Sequence, residues 1–320
     1  MNEAWLPLCS SIQDAQSILL ISHIFPDGDT CGSALALRRA LLSMGKDVCC
    51  CCEHSVPDIY ITLDGADSFV QPEALAGRVF DLAVCVDVSD EGRMGGCAAL
   101  FAGARHTAQI DHHGTNPAYA EVNVIRSPVS ATGVLVCELL ERLGIALDGK
   151  MAECLYIAVA TDTGNFKHAN TDAAAFSAAA KCIGCGFDVA AISRRVFDVK
   201  PDCQVRLLGA ALSSLETPCH GEIASAVVSS DDFARCGAKP EHTEGIVDFV
   251  FNIERVKIAA LLVEKGGGVK VSLRCVAPYD VAAVAQKFGG GGHQLAAGCT
   301  LHITLEEARA AIVAACGEIL

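Results

Sequence analysis

The stretch Leu19-Leu20-Ile21-Ser22-His23-Ile24-Phe25-Pro26-Asp27-Gly28-Asp29-Thr30 decides how this chain is interpreted. Its apolar start, residues 18–21, predicts a short buried strand, and the leucine-rich pattern over about residues 30–44 predicts a helix. The loop between them carries a histidine and two aspartates, His23, Asp27 and Asp29. A strand, a polar loop and a helix begin an α/β unit, and such folds bind ligands at the carboxyl ends of their strands.

This loop has two interpretations. An imidazole and two carboxylates on one tight turn need partners, because unpaired charge in a buried site is unfavourable. A metal ion would satisfy all of them. In the alternative, an Asp-Gly turn caps the helix and His23 is an ordinary loop histidine. The stretch alone leaves both open, so the rest of the chain must decide.

Composition narrows the class of protein. The chain has 320 residues, which suggests about two domains, and 52% of them are hydrophobic, enough for a sizeable core. No apolar run is long enough for a membrane span, and the N-terminus lacks the basic region of a secretory signal. We therefore expect a cytoplasmic protein that does not associate with membranes.

The cysteines and the net charge exclude further classes. The 18 cysteines include the run 49–52 in a β-like segment and one CxxC, Cys182 to Cys185, without a second pair. Reduced thiols are expected, with a thiol-based redox protein as a rival interpretation. A formal net charge of −14 argues against a protein that coats long nucleic acids.

Strands and helices alternate in the first part of the chain. Further strands are predicted over residues 47–52, 81–87 and 107–110. Helices are predicted over residues 133–143, 154–160 and 173–180. This alternation predicts an α/β fold with a doubly wound, mainly parallel sheet.

The pattern changes in the second part. Strand-like segments are predicted over residues 223–228, 257–263 and 269–274, and helices over residues 280–287 and 305–316, with a glycine-rich interruption before residue 293. We predict an α/β domain over 1–190, an interdomain linker over 191–215 and a second, smaller α/β domain over 216–320. A cleft is expected between the two domains.

Metal-type ligands follow separate elements of the first domain. They are His23, Asp27 and Asp29, then Asp87, then Asp111, His112 and His113, and finally Asp162. Mixed oxygen and nitrogen donors suit Mn²⁺, with Mg²⁺ or Co²⁺ as alternatives, and the lack of cysteine ligands disfavours structural zinc. The carboxylates suffice for two ions, and paired ions activate water and stabilise the oxygens at phosphorus.

These motifs resemble those of the DHH phosphoesterase family. The resemblance rests on His23-x-x-Pro26-Asp27-x-Asp29, Asp87, Asp111-His112-His113 and Asp162. The later motif Gly289-Gly290-Gly291-Gly292-His293 with Ala296-Ala297-Gly298 resembles the DHH-associated C-terminal domain. Within the family the chain is most similar to the bacterial nanoRNases, which are oligoribonucleases and phosphatases of adenosine 3′,5′-bisphosphate.

The resemblance implies a role for each matching residue. One metal ion would be held by His23, Asp27 and Asp87. The other would be held by Asp29, Asp87, His112 and Asp162, with Asp87 bridging the two ions. As further catalytic residues, His113 would face the scissile phosphate and Asp111 would orient the histidines.

In the second domain the resemblance implies that substrate binds to Arg274, Gly289, Gly290, Gly291, Gly292 and His293. The residue types are consistent with substrate binding. Consecutive glycines let a backbone approach a phosphate closely, and the planar guanidinium of an arginine can donate two hydrogen bonds to a phosphate. A flexible turn and an ordinary surface arginine are the alternatives. Cys275 stands where relatives often have serine.

We predict a metal-dependent phosphoesterase in which a hydroxide bridging two Mn²⁺ ions attacks the phosphorus. Its expected substrates are short single-stranded RNA, including dinucleotides, and adenosine 3′,5′-bisphosphate. A phosphodiesterase for linear or cyclic dinucleotides and a non-catalytic nucleotide-binding module are the alternatives. The sequence does not give the oligomeric state, although a homodimer is common among similar proteins.

Overall fold

A computed structural model describes residues 5–320. The chain divides into two compact units, Met1–Val199 and Lys200–Leu320. The boundary falls inside the stretch 191–215 that we expected to act as a linker, and most of that stretch is helical.

Within residues 5–199, six strands form one parallel sheet with the order β3-β2-β1-β4-β5-β6. The strands are β1 Ser17–Ile21, β2 Asp47–Cys51, β3 Phe69–Val70, β4 Leu82–Val86, β5 His106–Asp111 and β6 Val122–Ile125. The predicted parallel sheet is confirmed. The strand order reverses between β1 and β4, and ligands bind at such a reversal in open α/β sheets.

Helices surround this sheet. They are α1 Trp5–Asp14, α2 Gly28–Ser43, α3 Ala98–Ala102, α4 Thr132–Arg142, α5 Gly149–Asp162, α6 Ala173–Ile183 and α7 Val189–Ser193. In β1, Leu20 packs in the core that contains α2, α4 and α5, whereas Leu19 and Ile21 pack on the opposite face with Phe80 and Phe101. Because both faces are covered, β1 is continuously apolar and does not alternate with polar residues.

Helix α2 begins where the decisive stretch ends. The side chain of Asp27 accepts hydrogen bonds from the backbone amides of Asp29 and Thr30, at 3.1 and 3.2 Å, and so caps the helix. Along α2, Gly32 lies directly against the backbone carbonyl of Cys154 in α5. A side chain at position 32 would push the two helices apart, so glycine permits their close packing.

The second unit has a mixed sheet with the order β10-β11-β9-β8-β7, as described for residues 200–320. Its strands are β7 Ile223–Val228, β8 Ile258–Lys265, β9 Gly268–Cys275, β10 Gly291–His293 and β11 Ala296–Leu301. Its helices are α8 Asp202–Ser213, α9 Ser230–Cys236, α10 Ile246–Phe251, α11 Val281–Lys287 and α12 Leu305–Gly317. Only the β7–β8 pair is parallel among these strands.

The structure adds elements that the sequence did not indicate. The glycine-rich segment, predicted as an interruption, contains β10 and leads into β11. Helix α8 lies in the expected linker, and its Leu207 and Ala211 are buried against the second sheet. No helix among residues 5–320 is long and apolar enough to span a membrane.

Replacing Gly32 by alanine should destabilise the first unit. The added methyl group would overlap the Cys154 carbonyl, and overpacking of this kind typically costs about 1–3 kcal/mol. Urea denaturation followed by circular dichroism measures the change. Gly149→Ala is the matched control, because a methyl group there makes only an ordinary contact, 3.5 Å from the Cys185 carbonyl. Equal stability of the two variants would contradict this account of the α2–α5 contact.

Candidate metal centre

The chemistry-bearing residues of the first unit meet at the carboxyl edge of its sheet, where the strand order reverses. His23 follows β1, Asp87 follows β4, and His112 and His113 follow β5. The start of α2 contributes Asp27 and Asp29, and the last residue of α5 is Asp162. Separate segments of the chain thus bring together the residues that the sequence singled out.

Asp87 occupies the middle of this cluster. Its carboxylate lies 3.7 Å from Nε2 of His23, 3.6 Å from Nε2 of His112 and 3.7 Å from Nδ1 of His113. Its side chain is only 4% exposed. The backbone of Asp87 is left-handed, with φ +62°. Asparagine and aspartate tolerate this conformation better than most residues.

Three overlapping sets of side chains among residues 5–320 could each hold a metal ion, since their ligand atoms lie within 4.8 Å of one another. The sets are His23, Asp27 and Asp87; Asp29, His112 and Asp162; and Asp87, His112 and His113. Pairs such as His23 Nε2 and Asp27 Oδ2, 3.5 Å apart, are too distant for good hydrogen bonds. Two atoms each about 2.1 Å from a shared ion lie roughly 3–3.5 Å apart, so the spacing fits a divalent cation.

The imidazoles are oriented by backbone carbonyls. Nδ1 of His23 donates a hydrogen bond to the carbonyl of Ile24, at 2.7 Å, and Nδ1 of His112 donates to the carbonyl of Val129, at 2.9 Å. Each ring therefore carries its proton on Nδ1 when neutral and turns the Nε2 lone pair towards the carboxylates. This arrangement prepares both histidines for metal binding.

Asp111 has a different position from the other carboxylates. It is fully buried and accepts hydrogen bonds from Nδ1 of His113, at 2.8 Å, and from the side-chain amide of Asn116, at 2.6 Å. The hydrogen bond to Asp111 raises the pKa of His113 to about 9. Asp111 thus contacts His113, while His112 is held by Val129 instead.

The start of α4 holds the carboxylate of Asp29. The backbone amides of Thr132 and Gly133 donate to it at 2.6 and 2.9 Å, and the hydroxyl of Ser33 donates at 3.0 Å. The Thr132 hydroxyl also donates to Asp87, at 2.9 Å. Sequence reasoning missed Thr132, which is the first residue of α4 and lies 103 residues from Asp29 in the chain.

Burial and mutual repulsion raise the pKa values of three carboxylates of the cluster, those of Asp29, Asp87 and Asp162. Burial raises the pKa of Asp29 well above its ordinary value, and the charge of Asp87 adds to this effect. Burial, with the charge of Asp27, raises the pKa of Asp87 to about 6, although the neighbouring histidines oppose the shift. Burial also raises the pKa of Asp162. A bound cation would relieve these penalties, because it favours the ionised carboxylates.

The second unit places Arg274 and His293 in one row of its sheet. His293 in β10 pairs with Ala296 in β11, and Ala296 pairs with Arg274 in β9. Directly paired residues of an antiparallel sheet point to the same face. The small Ala296 therefore separates the imidazole from the guanidinium, whose Nε lies 3.4 Å from Asp248.

Glycine is required at several positions of the run 289–292, for different structural reasons. A side chain at Gly290 would collide with the backbone of Gly298, and one at Gly292 would collide with β11. Gly289 and Gly292 also have positive φ angles, +73° and +145°. At Gly291, by contrast, a Cβ atom would meet open space. Part of the glycine run is thus needed for the pairing of β10 with β11.

Buried carboxylates and imidazoles at the reversal point of a parallel sheet are typical of a divalent-metal hydrolase. Comparison with protein families agrees. Residues 17–159 match the DHH family N-terminal domain, and residues 222–318 match the DHHA1 domain.

Similar proteins cover nearly the whole chain. The bifunctional oligoribonuclease and PAP phosphatase NrnA of Thermus thermophilus is 31% identical over 284 residues, which are 89% of this chain and 84% of that protein. The NrnA of Bacillus subtilis is 24% identical over 307 residues, which are 92% of this chain and 92% of that protein. The crystal structure of an exopolyphosphatase-related protein from Bacteroides fragilis has the same fold, with a TM-score of 0.87, 24% identity and coverage of 99% and 96% of the two chains.

This chain belongs to the DHH family and is a phosphoester hydrolase. The resemblance noted in the sequence is confirmed, together with the class of enzyme that it implied.

The pKa of Asp87 predicts how pH affects the metal-free protein. A folded-state pKa of about 6 exceeds the ordinary value of 3.8, so the folded chain binds more protons between these values. Its stability should fall as pH rises from about 4 to 6, by about 2–3 kcal/mol from this group. Asp87→Asn should remove that part of the decline, because asparagine does not ionise and tolerates the positive φ.

Urea denaturation in excess chelator, at pH 4 and pH 7, measures this difference between the variant and the original chain. Asp14→Asn, which changes an exposed carboxylate at the end of α1, serves as the control and should follow the original chain. The same decline with pH in Asp87→Asn would show that the carboxylate of Asp87 is not destabilising.

Proposed function

We propose that this chain is a manganese-dependent phosphoesterase that hydrolyses short RNA oligonucleotides to mononucleotides. It also removes the 3′-phosphate of adenosine 3′,5′-bisphosphate. The observation that carries the proposal is the overlap of potential metal-binding sets on Asp87. The 31% identity to a bifunctional oligoribonuclease and PAP phosphatase supports the choice of substrates.

In this proposal two divalent ions would share the carboxylate of Asp87. One ion would be held by His23, Asp27 and Asp87, and the other by Asp29, Asp87, His112 and Asp162. The mixed carboxylate and imidazole donors support Mn²⁺, with Mg²⁺ or Co²⁺ as alternatives. When bound, the ions supply Lewis acidity and an activated water for attack on phosphorus.

His113 is proposed to contact the scissile phosphate. Its side chain is 42% exposed, whereas the Asp111 carboxylate that holds its Nδ1 is fully buried. The opposite nitrogen, Nε2, is therefore the atom available to donate a hydrogen bond to a phosphate oxygen. Asp111 and Asn116 act by keeping the imidazole in this orientation.

The row formed by Arg274 and His293 is proposed to bind the nucleotide end of the substrate. The guanidinium provides a planar fork for phosphate, and the adjoining glycines, Gly289, Gly290, Gly291 and Gly292, leave the backbone accessible. Gly289 and Gly291 support this role best, since no neighbouring atom restricts the space above them. The formal net charge of −14 supports short substrates, which need few phosphate contacts.

We further propose a cytoplasmic location and a homodimer. The free state of all 18 cysteines is compatible with a reducing cytoplasm. The homodimer expected from similar proteins stays a prediction, and light scattering coupled to size-exclusion chromatography would measure it.

Mononucleotide release from an end-labelled RNA dinucleotide tests the function. We expect release with Mn²⁺ and its loss in excess chelator. Asp162→Asn should lower the rate on the order of 100-fold or more, because the variant loses a carboxylate donor of one ion. The exposed Asp14→Asn should retain full activity and so controls for a loss of negative charge.

Phosphate release from adenosine 3′,5′-bisphosphate is measured in parallel. If dinucleotide persists although metal is bound, the oligoribonuclease proposal fails. Hydrolysis restricted to cyclic dinucleotides would favour a second-messenger phosphodiesterase. Nucleotide binding without any hydrolysis would favour the non-catalytic module.

A further inference from the structure

Phe25 is an unusual residue in the loop that carries the proposed metal ligands. It lies between His23 and Asp27, and it is 72% exposed. Its backbone is left-handed, with φ +54°. Phenylalanine is usually buried, and a bulky residue at positive φ is an outlier that costs free energy. Strain of this kind concentrates at ligand-binding sites, which makes Phe25 a candidate for function.

His54 fixes the orientation of the exposed ring. The two rings stack with their centroids 4.2 Å apart and an angle of 19° between their planes. The backbone amide of Phe25 also points to Nδ1 of His54, at 3.4 Å. Because His54 covers one face of the phenyl ring, the exposed area lies on the other face and along the edge. The ring therefore offers one flat apolar surface to a ligand.

The surroundings of Phe25 favour a small planar ligand over a protein or a membrane. Docking of macromolecules uses contiguous apolar patches. Here the exposed Asp27 and Glu53 are acidic, and the exposed Arg93, whose carbonyl accepts a hydrogen bond from the Ile24 amide, is basic. The phenyl ring therefore has a charged border and is not part of such a patch. A single oriented aromatic face is what stacking on a nucleobase requires.

We propose that the outward face of Phe25 stacks on the nucleobase of the nucleotide whose phosphate is bound at the Asp87 centre. The inference rests on the proposed function, since it presumes a nucleotide substrate. His23 and Asp27, which flank Phe25 in the loop, belong to one potential metal-binding set with Asp87, and Phe25 therefore lies at the border of the proposed phosphate site. The ribose of the substrate would connect the phosphate there to the base on Phe25.

Stacking has a defined consequence for specificity. Every base has an aromatic face, so Phe25 should favour nucleotides over phosphoesters without a base but discriminate little among the bases. His54 acts as a positioning residue that supports the ring from behind. Its role should be retained in His54→Phe, which keeps an aromatic face, and lost in His54→Ala.

The test compares Phe25→Ala and Phe25→Trp on an RNA dinucleotide and on the same molecule with one base removed. Phe25→Ala should lower kcat/KM for the intact dinucleotide about tenfold, mainly through KM, because one base loses its stacking partner. Phe25→Trp should retain the original value. For the abasic substrate whose missing base is the stacked one, the original chain and Phe25→Ala should be equal.

Two further variants guard against indirect effects. Phe25→Gly removes the ring and is unstrained at positive φ, so it should lower kcat/KM for the intact dinucleotide as much as Phe25→Ala does. Phe176→Ala is the matched control, because Phe176 is also an exposed phenylalanine, 57% accessible, stacked on another ring at 5.2 Å. Phe176→Ala should leave kcat/KM unchanged.

A binding experiment separates this inference from the proposed function. The fluorescence of 2-aminopurine riboside 5′-monophosphate, titrated with protein and Mg²⁺, should be quenched by the original chain and much less by Phe25→Ala. Quenching that depends on Phe25, without hydrolysis of dinucleotides, would support the stacking site and contradict the proposed phosphoesterase activity on RNA. Hydrolysis with equal kinetics in Phe25→Ala, or no quenching by the original chain, would overturn the stacking site.

Discussion

The structure of the first unit depends on keeping two buried aspartates, Asp29 and Asp87, next to each other. Their side chains lie at the reversal point of the sheet, and the ion pairs that Asp87 makes among the described residues are with histidines. Two carboxylates in such a place repel one another and lose hydration, which is why their pKa values are raised. The amides of α4 and the Thr132 hydroxyl partly compensate by donating hydrogen bonds, as do the charges of the neighbouring histidines when they are protonated, and a divalent cation would complete the compensation.

Close helix packing makes this arrangement possible. Gly28 at the start of α2 lies against Thr161, the residue before Asp162. Gly133 at the start of α4 lies against Ala158 of the same helix, α5. Side chains at these glycines would separate the helix ends by the thickness of a methyl group or more. The carboxylates of Asp29 and Asp162 would then move apart, so residues without any donor atom contribute to the spacing of the proposed metal site.

The sequence predicted the parts of the site that are local in the chain. His23, Asp87 and the pair His112 and His113 each follow an apolar run, and parallel strands bring such ends to one edge. The contacts that hold these side chains were not predictable, because Thr132 and Val129 are distant in sequence and contribute through a helix end or a carbonyl. Strand β10 was missed for a similar reason. Its glycines have no strand propensity, and pairing with β11 alone determines their conformation.

The negative charge of the chain constrains how it can recognise a polyanion. At a formal net charge of −14, long-range attraction cannot provide the affinity for nucleic acid, so contacts must be few and strong. The contacts proposed for the first unit are of this kind: cations at Asp87 for one phosphate and the face of Phe25 for one base. Each recognises a single chemical group, and none can be repeated along a long strand. Affinity should therefore reach its limit within a few nucleotides, which is the physical reason for expecting short substrates.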